Sequence, residues 1–445
     1  MTWFKTRAGL LWREMPAQYR ANFIHLFLDI AWFGVLSGSA VAFISVYIVR
    51  LGGNGFQIGL VSAIPAIISI AIALPSGWWL NHLRIDKAVF WSSVLFRFFY
   101  LLWVPIPLLF TPAGQIWAFL VIILVMSLPG TMLAVGFNAL FAAAVPPEWR
   151  GQVVGVRNAL LAITFTLTSL LSGYLLSHLA FPLGYQVVFA IGFLGAAMSS
   201  LHLWRVRVPP PVGLQHNHRG LGDIARPGFV RSLGDTIRPA AGLRYLLERQ
   251  TLRPPSLRVW RGAFAPVLLV LFAFHLTQYL AIPLFPLFWV ERLQLTDQVI
   301  SLGNAVFYVV VFLGSTQLGR ISQRWGHHRV MVTGALVMSL YPFLTSQMRS
   351  IGLFLFTQVV GGVSWTLAGG ALANYILEHI PDDDRPAHLA WYNMALNVAI
   401  LFGSLVGPFV AHKVGLVTAL AGIALLRLGS AVAIWRWGNG RTRSD

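Results

Sequence analysis

Twelve times along this chain an apolar run of about twenty residues recurs, the length a helix needs to cross the hydrocarbon core of a bilayer. Little else constrains a fold so tightly. In lipid every backbone N–H and C=O must find a partner within the spanning structure, which leaves helices or closed barrels. The runs fall near 23–49, 56–80, 88–110, 116–142, 153–178 and 184–204, then near 263–290, 298–319, 328–347, 351–377, 388–411 and 415–436. They predict an all-α membrane protein with twelve transmembrane helices, divided into an N-terminal bundle over 23–204 and a C-terminal bundle over 263–436. A lead-in (1–22), a central loop (205–262) and a tail (437–445) complete the chain. Composition agrees: 57% of residues are hydrophobic and 10% charged, where a soluble domain needs about 25% charged. Cysteine is absent, which removes disulfides and thiolate metal sites.

The net charge of +18 raises the question of nucleic acid, and the placement of the charge answers it. Of 32 Lys and Arg, 26 fall on segments that share a side with the termini, counting Arg157 with the loop-facing end of the fifth run. Four (Arg50, Arg292, Arg349 and Lys413) fall opposite, and Arg97 and Arg427 lie inside spans. That asymmetry places both termini in the cytoplasm of a bacterial-type inner or plasma membrane. The basic face then meets anionic lipid headgroups, and no nucleic-acid partner is needed. Residues 1–20 hold four basic residues and no uninterrupted apolar core, so they read as a cytoplasmic lead-in and not as a cleaved signal. The central loop carries eleven arginines against Asp223, Asp235 and Glu248, and 240–250 can form a short surface helix or remain a flexible linker.

The two halves are related by a nearly constant offset, a sign of duplication. At 242 residues Arg50-Leu51 falls on Arg292-Leu293 and Gly77 on Gly319. At 235, Arg150 falls on Arg385 and Asn158 on Asn393. The loop after the second run reads Gly77-Trp78-Trp79-Leu80-Asn81-His82, and its counterpart reads Gly319-Arg320-Ile321-Ser322-Gln323-Arg324-Trp325-Gly326. The chain thereby resembles the major facilitator superfamily (MFS) over essentially all of 22–436. The family's loop pattern, Gly-x-x-x-Asp-Arg-x-Gly-basic-basic, carries an amide in both copies here, Asn81 or Gln323. The family's helix-5 antiporter signature Gly-x-x-x-Gly-Pro is absent from helix 5 and occurs in helix 11 as Gly403 to Pro408. The resemblance implies two pseudo-symmetric bundles, a monomer, and a central cavity lined by helices 1, 4, 7 and 10.

Asp29 is the one acid well inside a span. It sits about 9–11 Å from the cytoplasmic end at 1.5 Å per residue, too deep for a short side chain to reach water. An intramembrane carboxylate is a functional-site candidate by default. His25, one turn earlier, shares its face, and Gly34 and Gly38 form a small-xxx-small seam on another. Asp29, His25 and His275 are the proton-coupling candidates, the histidines because imidazole changes charge between about pH 5 and 8. Trp32, Gln278, Tyr279, Trp365 and Thr366 are the cavity candidates. Arg97, at a depth similar to that of Asp29, is an ion-pair candidate, and a structural pair with Asp29 rivals the proton reading. Gly77, Asn81, Arg150, Asn158, Gly319, Arg324, Arg385 and Asn393 are gating candidates.

No phosphate-binding loop, His-Glu-x-x-His zinc pattern or nucleotide-binding domain is present, so the expectation is a protein that is not an enzyme and needs no cofactor or metal. The expected function is proton-coupled transport of a small organic solute by alternating access. The apolar lining points to a lipophilic or weakly cationic solute. An uncoupled facilitator or lipid flippase stands as the alternative, and a non-transporting assembly partner docking through the basic loop as a further one.

Overall fold

The computed structural model describes residues 17–82, 84–208, 259–260, 262–381 and 385–439. The lead-in before Ala17, most of the central loop with its expected helix at 240–250, and 440–445 lie outside these. In the first half the apolar runs form α1 (17–50), α2 (Gly55–His82), α3 (Ile85–Trp103), α4 (Pro112–Ala144), α5 (Pro147–His178) and α6 (Leu183–Arg205). The second half holds α7 (Phe264–Ala281, extended by Leu284–Leu287 and Phe288–Arg292), α8 (Asp297–Trp325), α9 (His327–Ser346), α10 (Ile351–Glu378), α11 (Arg385–Val414) and α12 (Leu416–Trp437). Among the described residues, eleven of these twelve are long and apolar enough to cross a membrane. The exception is α3, whose 19 residues include Asp86, Lys87 and Arg97.

Two starts lie six residues earlier than the apolar pattern suggests, and the first matters below. Helix α5 begins at Pro147, six residues before its apolar run, because proline fits the first helical position, where the missing N–H had no partner anyway. Helix α1 begins at Ala17 on a polar turn. Helices α4, α8 and α10 start on hydroxyl caps: the side chains of Thr111, Thr296 and Ser350 accept from the backbone N–H of Gly114, Val299 and Leu353.

The packing repeats itself. Helix α1 packs on α5 and α6, α2 on α4, and α3 on α4 and α6; six helices later α7 packs on α11 and α12, α8 on α10, and α9 on α10 and α12. Small residues set the closest seams, as expected where lipid tails give helices no hydrophobic reason to associate. A Cβ on Gly38 would lie 2.5 Å from the Phe165 carbonyl oxygen of α5. One on Gly407 would lie 2.0 Å from the Leu280 carbonyl of α7. The Gly403–Pro408 motif is therefore an α7–α11 packing seam.

Helix α7 stops at Ala281 before Pro283, which has no N–H to donate. Arg427 of α12 supplies donors there. Its Nε reaches Thr277 O (3.2 Å), its Nη2 Gln278 O (3.0 Å) and its Nη1 Met338 O of α9 (3.2 Å).

The bundles meet through α2 against α11 and α5 against α8. On the face opposite the termini, called distal here, Gly55 abuts Pro408, Gly59 the Ser404 carbonyl, and Gly173 Ser301. There Arg50 Nη2 pairs with Asp297 Oδ1 (3.1 Å) and donates to Leu295 O (2.5 Å), while Tyr185 Oη donates to Asp297 Oδ2 (2.9 Å). At mid-depth Phe165 packs on Tyr308 in a tilted arrangement, with ring centroids 3.7 Å apart. Toward the termini face the seam opens: among the described residues, nothing outside their own helix backbones lies within 4 Å of a Cβ built on Gly151, Gly155 or Gly319.

Candidate functional site

A cavity of about 450 Å³ lies at mid-depth, walled mostly by α1–α4. The C-terminal bundle contributes Tyr279 and Ile282 from α7 and Asn397 and Ile400 from α11. Its surface is largely apolar, with one charged region where Asp29, Arg97 and Arg157 come together.

Asp29 faces three other helices. Its Oδ2 is 3.1 Å from Arg157 Nη2 of α5, and its Oδ1 is 3.6 Å from Arg97 Nη2 of α3. Ser199 of α6 donates to Oδ1 at 2.5 Å. The three charged side chains are 4–8% exposed. Arg157 also donates from Nη1 to the Leu26 carbonyl, and its guanidinium lies 4.9 Å from the centroid of the Phe137 ring, a cation–π distance. Arg97 donates from Nη1 to Ser93 Oγ (2.7 Å) and Ser200 Oγ (3.1 Å), while its Nε has no hydrogen-bond partner. Two guanidinium groups surround one carboxylate, so the wall carries a formal charge of +1.

The second of those arginines is the residue that sequence reasoning misses. Arg97 reads at the right depth, but Arg157 reads as part of a loop-facing end. The early start of α5 at Pro147 puts Arg157 ten residues into the helix, about 15 Å.

The other candidates distribute as follows. His25 does not line the cavity; its Nδ1 is 3.2 Å from that of His202 on α6, and the two rings stack. His275 is buried between α7 and α11, with Nε2 3.0 Å from Tyr392 Oη. Of the five cavity candidates only Tyr279 is among the described lining residues. Trp32 lies on α1 with its backbone carbonyl against Gly195 of α6, and Gln278 is buried beside the Arg427 contact. Trp365 joins the apolar cluster of Ile30, Leu161 and Val311 between the bundles. Thr366 donates to Gly362 O and packs on Gly314 of α8. These four differences share one cause: depth in a helix is readable from sequence, but rotation about its axis is not when apolar residues cover every face.

Among the gating candidates, Arg150 caps the end of α4 through Ala142 O (2.8 Å) and Val145 O (3.1 Å). Asn393 donates to Leu389 O of its own helix. Asn158 is buried on α5, and Gly319 and Arg324 are exposed near the end of α8. Gly77 and Asn81 lie in the last turns of α2 and Arg385 starts α11, with side chains outside those described. Among the described residues no three of His, Cys, Asp and Glu gather as a metal site.

Two like bundles of six helices each among the described residues, joined on one face, with a largely apolar cavity that carries one charged cluster at mid-depth, define a membrane transporter fold. The sequence profile of the Major Facilitator Superfamily matches residues 25–274 and 267–445. The chain belongs to that family. It is 24% identical over 132 residues to Multidrug resistance protein 2 of Bacillus subtilis (strain 168), covering 30% of this chain and 33% of that protein. Against Multidrug resistance protein 1 of the same organism it is 26% identical over 116 residues, 25% of this chain and 30% of that one. The chain thus spans about a third of the length of these relatives. Among solved structures, a D-xylose-proton symporter superposes with TM-score 0.68 at 15% identity, covering 95% of this chain and 99% of that one. The xylose transporter XylE from E. coli, in a partially occluded inward-open conformation, gives 0.65 at 14%, with 95% and 98% covered. The nucleoside transporter NupG gives 0.60 at 13%, with 95% and 100% covered.

Proposed function

We propose that this chain is a secondary transporter that moves a small organic solute by alternating access, with the termini face in the cytoplasm. The observation that carries this reading is an asymmetry. Contacts between the bundles run from the Arg50–Asp297–Tyr185 cluster to mid-depth, and among the described residues Gly151, Gly155 and Gly319 toward the termini face meet no neighbouring helix. With that face cytoplasmic, the protein is closed outside and splayed inside, and its cavity lies where the two states would exchange access. With Arg157 set aside as a buried residue of α5, the 25-to-4 distribution of Lys and Arg supports the orientation.

In this reading Asp29 carries the coupling proton. A proton on Oδ2 removes the acceptor of Arg157 Nη2 and releases a guanidinium into a wall of the cavity, so protonation and solute binding act on one cluster. The titratable and charged groups around Asp29 are Arg97 on α3, Arg157 on α5, His202 on α6 and His25 on its own helix. A second reading, an uncoupled facilitator, is favoured by those same two arginines, because protonating Asp29 leaves both uncompensated.

Proteoliposomes loaded with a mixed solute panel, with and without an imposed pH gradient, separate the two. Proton coupling predicts gradient-driven accumulation that Asp29→Asn abolishes while exchange down a solute gradient persists. Equal accumulation by the variant would refute coupling at Asp29, and no movement of any solute by native protein would refute transport itself.

A further inference from the structure

We propose that the solute is a monoanionic amphiphile: a single carboxylate, sulfonate or phosphodiester on an apolar body, with the anionic group received by Arg97. The inference rests on the transport reading and adds the chemical class of what is carried.

Charge leads to it first. Asp29 is the one acid among the described residues lining the cavity, against Arg97 and Arg157. A buried charge without a counterion is strongly unfavourable. One further negative charge makes the site neutral; a neutral solute leaves the excess in place and a cation worsens it.

Geometry then says which arginine is available. Arg157 is committed, in hydrogen-bond contact with Asp29 and donating also to the Leu26 carbonyl. Arg97 is not. Its Nη2 stands 3.6 Å from Asp29 Oδ1, beyond a good hydrogen bond, and that oxygen already accepts from Ser199. Its other partners are neutral, the hydroxyls of Ser93 and Ser200 and the Phe33 ring 6.0 Å away, and Nε has no hydrogen-bond partner. A planar guanidinium with donors to spare suits an oxyanion, which it can grip with two parallel hydrogen bonds.

The remaining surface selects the body of the molecule. Ile30, Phe33, Phe96, Tyr100, Met126 and Phe137 border the cavity. These are large apolar and aromatic groups, and the volume of about 450 Å³ lies within the range that holds drug-sized ligands. A small, strongly hydrated anion would gain nothing from such walls.

A matched ligand series tests this: an arylalkyl carboxylate, its primary amide and the corresponding amine, read by thermal shift on protein in phosphatidylcholine nanodiscs. The carboxylate should bind about tenfold or more tighter than the amide, and the amine should not bind. Arg97→Gln should erase the preference between carboxylate and amide, and Arg97→Lys, which keeps the charge, should retain part of it. Repeating the series with phosphatidylglycerol in the nanodiscs identifies the source of the anion. Unchanged carboxylate binding assigns it to soluble solutes, and competitive loss assigns it to the lipid headgroup. Equal or tighter binding of the amide or amine, or no carboxylate binding in phosphatidylcholine, would overturn the proposal. So would an Arg97→Gln protein that still folds and keeps the native preference. Transport of neutral or cationic solutes alongside inert anions would sink this inference and leave the transport reading standing.

Discussion

At the scale of single residues, the buried cluster of Asp29, Arg97 and Arg157 behaves as one unit. Removing one member of a buried ion pair costs about 3–5 kcal/mol because it strands the partner's charge. Asp29→Asn strands two guanidinium groups in a span, so its melting temperature in detergent should fall well below that of native protein. Adding Arg157→Gln should restore part of the loss, and a double variant no more stable than the single would deny the coupling. Asp29 itself is legible in the sequence, because an acid inside a long apolar run has few explanations. Arg157 is not, because an arginine near a helix end reads as an interface residue until the helix is seen to start at Pro147. The signal that could have located it is the Pro146-Pro147-Glu148 turn, where a proline suits the first helical position.

At the scale of elements, glycine seams and one arginine hold irregular helices in place. A methyl group on Gly407 would lie 2.0 Å from the Leu280 carbonyl oxygen, and backbone cannot rotate aside. Gly407→Ala should therefore cost about 1–3 kcal/mol, the usual penalty for overpacking, measurable as a lowered melting temperature. Gly422→Ala, on α12 with open space around it, is the control and should be near neutral. Arg427 holds carbonyls from α7 and α9 with a three-way fork. Arg427→Lys should destabilise nearly as much as Arg427→Ala, since one ammonium cannot reproduce that fork; full rescue by lysine would contradict this account. The number of helices is readable from run length alone, and so is the small-residue seam on α1. The break in α7 is visible at Pro283, but the arginine that serves it comes from a helix 150 residues away, a long-range pairing that no local pattern encodes.

At the scale of the whole molecule, the repeated packing of α1–α6 in α7–α12 gives two bodies, which in the proposed transport cycle rock about the contacts of α2 with α11 and α5 with α8. The distal closure is polar, through Arg50, Asp297 and Tyr185, and is the natural place to bias the equilibrium between states. Because the chain has no cysteine, spin labels can be placed without background. One pair, at Asn54 and Lys413, reports on the distal face, and another, at Gly151 and Arg320, on the termini face. Distances between labels in nanodiscs, measured for native protein and for Asp297→Asn, test alternating access most directly. The account predicts that Asp297→Asn lengthens the distal distance and shortens the distance across the termini face. Distances that both stay fixed, or that lengthen together, would contradict it.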